Sequence, residues 1–214
     1  MILWRGVPSL PDLGPDIYRA AGRSVLVALA ATTLTLAGAL ALSLRGGVLV
    51  ALVGSLPLAA SALVMGTGLF LLVFPFVNPV TVALPVTVGV NAVMAMPFAL
   101  RLLSPAVADI RSDYGPLAAN LALGPWATLR LVILPLTLPG IMTDAFLTFV
   151  LCIGDYITPQ LLGGNNELSM PQLIMLQLGR RGDFPMASAL SVVLMALVTL
   201  AYAATARWLK MDRV

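Results

Sequence analysis

Hydrophobic residues run along this chain in long uncharged blocks, separated by short stretches where arginine, aspartate, glycine and proline gather. The block 24–44 carries no charged side chain and, at about 21 residues, is long enough to cross roughly 30 Å of hydrocarbon as a helix. Arg45-Gly46-Gly47 reads as a turn. The next block, 48–76, is long and uncharged and contains Pro57, so it reads as one span with a kink or an interfacial start. Asn78-Pro79 marks a short loop, and 80–100 forms a third span interrupted by Pro85 and Pro97. A fourth span, 136–154, contains Asp144; a fifth, 186–206, is closed by Arg207, Lys210 and Arg213. The pattern predicts an all-α membrane protein with about five transmembrane helices. Residues 22–210 make up the membrane domain and 211–214 a C-terminal tail. Residues 1–21 read as an extracytoplasmic or interfacial segment, in which Trp4 and Tyr18 suit the headgroup level. No continuous apolar run follows a basic start there, which argues against a secretory signal. Residues 155–185 are a polar, glycine-rich connection with a short apolar piece at 173–178.

Composition sharpens the picture by exclusion. The 214 residues are 60% hydrophobic and only 10% charged, with a mean hydropathy of +1.01. Soluble domains are about 25% charged, so the lipid bilayer is the solvent implied. The net charge of +3 is dispersed, which disfavours nucleic acid as a partner. Cys152 is the single cysteine, so no intrachain disulfide forms, and its apolar setting reads as a buried small hydrophobe. Without histidine, imidazole-based metal sites and general bases are excluded. A phosphate-binding P-loop needs Gly-Lys-Ser/Thr, and the single lysine, Lys210, is followed by Met211. An intramembrane hydrolase needs facing aspartates or a Ser/Lys set, whereas Asp144 and Asp155 belong to one span. The sequence therefore offers no catalytic set and no metal-ligand set.

The stretch Asp113 to Ile141, DYGPLAANLALGPWATLRLVILPLTLPGI, lies in a loop over about 102–135 between the third and fourth spans. Gly115-Pro116, Gly124-Pro125 and Leu134-Pro135 punctuate it. Between them, 117–122 is rich in good helix formers, and 126–133 is a second short helix opened by Pro125. Two short helices joined by a tight turn make a docking projection. The stretch resembles the EAA loop of binding-protein-dependent ABC importer permeases, of the form EAA-x-x-x-G followed by Leu-Pro. Pro116-Leu117-Ala118 fall on EAA, Ala122 on the glycine, and Trp126 and Leu134-Pro135 on their counterparts. Three positions depart from the pattern: Pro116 for glutamate, Leu117 for alanine and Ala122 for glycine, with Gly124 able to supply the turn.

The resemblance implies an ABC importer permease core with this coupling loop in the cytoplasm, in a multi-pass protein of the bacterial inner membrane. It implies a first span missing before residue 24, or the second half of a fused permease. Leu117, Ala118, Leu121, Leu123 and Trp126 would supply apolar contacts to a separate ATPase subunit; the alternative is packing on the chain's own spans. No cofactor is implied in this chain, ATP and Mg²⁺ residing on the ATPase. Further implied partners are a second permease subunit or half and an extracytoplasmic solute-binding protein. The distribution of basic residues agrees: Arg45, Arg101, Arg111, Arg130, Arg207, Lys210 and Arg213 share the face of the central loop, against Arg5, Arg19, Arg23, Arg180 and Arg181 on the other.

Two polar positions are candidates for the solute pathway. Asp155 ends the fourth span, where a carboxylate can attract a cation or cap a helix. Asn91 in the third span can face the pathway or bond to a neighbouring helix. Asp144 reads as a helix cap near the cytoplasmic interface, with a transport role as the alternative. The wording GDYITPQLLGG is similar to spermidine/putrescine permeases, whereas VNAVMAMPFALR with LGPW is similar to thiamine permeases and their ferric-iron relatives. The resemblance thus implies uptake of a small organic cation such as spermidine, putrescine or thiamine. The competing readings are a secondary transporter and a non-catalytic membrane scaffold.

Overall fold

The computed structural model describes residues 15–59, 62–73, 75, 83–162 and 169–211, and every regular element among them is a helix. In chain order these are α1 (Pro15–Arg45), α2 (Val48–Ala59), α3 (Ala62–Val73), α4 (Ala83–Asn120), α5 (Pro125–Thr128), α6 (Leu134–Ile153), α7 (Ile157–Leu162), α8 (Met170–Leu176) and α9 (Phe184–Met211). A π-helical turn, Leu129–Ile133, joins α5 to α6, and another, Gln177–Arg181, extends α8. Four helices are long and apolar enough to cross a membrane: Ile17–Arg45, Ala83–Asn120, Pro125–Gln160 and Phe184–Lys210. They contain the expected spans 24–44, 80–100, 136–154 and 186–206, apart from residues 80–82, which lie outside the described residues.

Three boundaries differ from the sequence reading. Residues 15–21 continue α1, and Ile17 and Ala20 are buried, so this part of the N-terminal segment is helix; Trp4 lies outside the described residues. The block 48–76 appears as two helices of 12 residues each, α2 and α3. The region 102–135 is not a loop carrying two separate short helices: α4 runs on to Asn120 through Pro97, Pro105 and Pro116. Each proline removes one donor, so Pro116 leaves only the Ser112 carbonyl without its usual partner. The alanine and leucine residues that follow continue the helix, and water can solvate the orphaned carbonyl where the helix leaves the bilayer.

The core is where α1, α4 and α6 meet. Ser43 Oγ lies 2.9 Å from Ser104 Oγ, and Thr35 Oγ1 donates to the Ala92 carbonyl at 3.3 Å, so α1 and α4 run parallel. Along α6 the order reverses. Ala39 shares a cluster with Ala99, Leu103 and Ile141, whereas Ala28 and Ala31 pack on Cys152 and Ile153. Small residues let these backbones approach, which is how helices associate where lipid removes the hydrophobic drive. Ala28, Ala31, Ala39 and Ala99 are all completely buried. A Cβ on Gly38 would meet Met96 Cε at 2.8 Å. The buried hydroxyls of Thr35, Thr87 and Thr137 donate to carbonyls four residues back, closing polar groups that hydrocarbon cannot solvate.

At the other end, α8 folds back on the bundle. The Met170 N–H donates to Ser24 Oγ at 2.8 Å across 146 residues of sequence. Gln172 Oε1 accepts the Ser169 N–H at 2.7 Å, half of a capping box. Ile17, Ala20, Met170 and Leu190 then tie α1, α8 and α9 together.

Close packing around Ala39 predicts an asymmetry between neighbours. Ala39→Leu is expected to cost about 1–3 kcal/mol by overpacking, whereas Gly38→Ala pushes only on the flexible end of Met96 and costs less. Thermal unfolding in detergent checks this order.

Candidate functional site: the α4–α5 turn and the intramembrane cavity

The α4 helix ends in a geometry that its sequence resists. Ala122 has φ 50°, the single non-glycine residue with positive φ among those described. The Ala122 N–H bonds to the Ala119 carbonyl and the Leu123 N–H to the Ala118 carbonyl, both at 3.0 Å. Those two bonds define a Schellman C-cap, whose left-handed position is normally glycine. Alanine there carries a steric cost of about 1–2 kcal/mol. Gly124 does not replace it: with φ −67° and ψ 162° it is extended and serves as the N-cap of α5, with Pro125 in the first turn. Beyond α5 the Leu134 N–H reaches back five residues to the Leu129 carbonyl, forming a π turn immediately before Pro135, which has no N–H to offer.

The expected docking residues gather around this turn with different orientations. Leu117, Leu121 and Trp126 are exposed, Trp126 by 73%, a large apolar surface at the junction of two helices. Pro116, Ala122, Gly124 and Pro135 are also exposed, while Leu123 is half-buried. Ala118 is turned inward at 5% exposure, so it supports the cap rather than presenting a surface. Tyr114 and Leu131 join the exposed set although the sequence reading passed over them. Tyr114, Leu117 and Leu121 follow helical three- and four-residue spacing, a signal visible once α4 is continuous. Behind the tip lies an open groove of about 660 Å³ lined by Ala118, Leu123, Trp126, Leu129 and, from the end of α1, Leu44.

The two solute-pathway candidates come together across 64 positions of sequence. Asn91 of α4 and Asp155, which follows α6, line one cavity of about 240 Å³ with Met94, Phe98, Cys152 and Thr158. Asp155 Oδ1 accepts the backbone N–H groups of Ile157 at 3.0 Å and Thr158 at 3.3 Å, capping α7. Asp144 is elsewhere. It is completely buried in the middle of α6, between the levels marked by Ile141 and Cys152, so it cannot cap a helix at the cytoplasmic interface. The reading of that residue from its distance to the start of the span failed because the helix starts earlier. Among the described residues no cluster of three or more potential metal-ligating side chains occurs.

The strained cap makes a direct prediction. Ala122→Gly is expected to raise the unfolding free energy by about 1 kcal/mol, with docking intact or improved. A thermal-shift measurement checks the sign, and Ala122→Val, with a β-branched side chain at positive φ, is expected to move it the other way.

Comparison with known proteins agrees with this architecture. A model of the family described as "Binding-protein-dependent transport system inner membrane component" matches residues 1–210. A thiamine transport system permease protein, ThiP, of Brucella abortus (strain 2308) is 35% identical over 156 residues, 71% of this chain and 28% of the relative. ThiP of Salmonella typhimurium is 32% identical over 185 residues, 80% of this chain and 34% of the relative. The inner membrane ABC transporter permease protein YdcU of Escherichia coli (strain K12) is 33% identical over 105 residues, 49% of this chain and 33% of the relative. The chain thus spans about a third or less of the length of these relatives. An inward-facing structure of the MetNI methionine ABC transporter superposes with TM-score 0.65 at 20% identity, covering 94% of this chain and 99% of that one, which establishes the fold. The chain belongs to the family of inner-membrane components of binding-protein-dependent transport systems.

Proposed function

We propose that this chain is the membrane-spanning permease subunit of an ATP-driven importer. It takes up a small organic cation handed over by an extracytoplasmic binding protein and works beside a second permease subunit or half. ATP and Mg²⁺ are assigned to a separate ATPase, since no P-loop is present in the sequence. The observation that carries the reading is the exposed apolar tip at the junction of two long helices. At 38 residues α4 is about 57 Å long. It therefore exceeds the roughly 30 Å hydrocarbon core and delivers Leu117 and Leu121 well outside it.

Work can pass through such an element mechanically. Movement of an ATPase surface gripping Leu121 and Trp126 would displace the turn, and the turn would displace α4 and α6 as levers. Leverage of that kind requires stiffness, which the Schellman bonds and the fixed φ of Pro125 in the first turn of α5 provide. Among solutes, thiamine is favoured by the relatives named for thiamine transport. Spermidine or putrescine is the second choice and rests on the GDYITPQLLGG wording alone.

Affinity purification of the tagged chain from native membranes tests the assignment. An ATPase subunit is expected with the parent and is expected to be lost with Leu121→Asp, a change at a side chain 63% exposed and so harmless to folding. A folded parent that brings down no ATPase would favour a secondary transporter or a membrane scaffold.

A further inference from the structure

The cavity shared by Asn91 and Asp155 has an unusual inventory of unmet hydrogen-bonding groups. Asn91 Nδ2, Asp155 Oδ2 and Thr158 Oγ1 are each buried without a hydrogen-bond partner. Asn91 is 6% exposed and Thr158 is completely buried. Leaving one such group unsatisfied costs about 1–3 kcal/mol, and here three belong to residues that line one 240 Å³ space. Thr35 and Thr87 close on their own helices, whereas Thr32 and Thr148 also leave buried hydroxyls without a partner, away from this cavity. Met94, Phe98 and Leu151 make the remainder of the wall apolar.

The geometry points to a solute-binding site formed by this one chain, selective for a monocation that carries both N–H donors and an acceptor, as an aminopyrimidine does. This rests on the permease reading and adds the residues and the chemistry. Asp155 Oδ2 accepts an N–H of the ligand and supplies charge attraction. Thr158 Oγ1 accepts or donates beside it. The Asn91 amide donates through Nδ2 to a ring nitrogen, and the apolar wall holds the ring. A diamine such as putrescine has donors at both ends and no acceptor, so it leaves Asn91 Nδ2 unpaired.

Cys152 supplies the readout. It is the single cysteine of the chain and lines this cavity. In the complex extracted from membranes, thiamine is used as the aminopyrimidine-bearing monocation and putrescine as the donor-only dication. Thiamine at ten times its Kd is expected to slow maleimide alkylation of Cys152 about tenfold by occupancy. Putrescine is expected to have no effect. Asn91→Leu and Asp155→Asn are each expected to abolish protection, and the second keeps the cap on α7 because asparagine caps as well as aspartate. If Cys152 does not react in the parent, equilibrium binding of radiolabelled thiamine to parent and Asn91→Leu makes the same comparison. Equal protection by both solutes, or protection and binding that survive Asn91→Leu, would overturn the site. Absence of thiamine binding by either measure, in a complex that retains its ATPase and drives ATP-dependent uptake, would overturn it too while leaving the permease assignment standing.

Discussion

Hydrocarbon cannot hydrogen-bond a peptide group, and that constraint shapes the whole chain. Every membrane-crossing segment must close its own N–H and C=O groups, which leaves helix as the available form. The same solvent also removes the gain from pressing one leucine on another, since lipid tails are as apolar as side chains. Helices then adhere by approaching closely. The completely buried alanines of α1 and α4, and the threonines folded onto their own carbonyls, are the consequence. Large side chains that a soluble core would bury, such as Leu26, Leu71, Leu72 and Leu200, point outward instead, at exposures of 64–69%.

Outside the bilayer the rules reverse, and the α4–α5 turn sits where they do. At about 57 Å α4 outruns the roughly 30 Å hydrocarbon core, so water can solvate the carbonyl that Pro116 orphans and the helix can persist to Asn120. The chain must then reverse within a few residues, and it does so with Ala122 in a left-handed conformation and Gly124 extended. Such strain persists because the surrounding cap bonds over-determine the turn. The result is a stiff junction whose exposed leucines and tryptophan have no counterpart in a surface evolved to face water alone.

Much of this could be read from the order of residues. Four apolar blocks of roughly 20 residues disclosed helices long enough to cross a membrane, because bilayer thickness fixes their length, whereas the block 48–76 gave two helices of 12 residues each. Pro125 correctly marked the start of a helix, and Ala122 aligned with a family glycine, which its positive φ now explains. Gly115-Pro116 misled, because a proline costs one hydrogen bond and the neighbouring helix formers outweighed it. The inward turn of Ala118 and the burial of Asp144 depend on helix phase and register, which the spacing of charges does not encode. Likewise, Asn91 and Asp155 meet only because α6 runs antiparallel to α4 and returns the chain to the same level.

The central claim is that the apolar tip of the α4–α5 turn is gripped by an ATPase. Its most direct test is cross-linking from Leu121→Cys in a Cys152→Ser background, with a short bifunctional thiol reagent applied to native membranes. The account predicts a cross-linked product containing an ATPase subunit, with a yield that changes when nucleotide is trapped. A complex that still hydrolyses ATP and transports, yet never cross-links from residue 121 or from a matching cysteine at position 126, would contradict it.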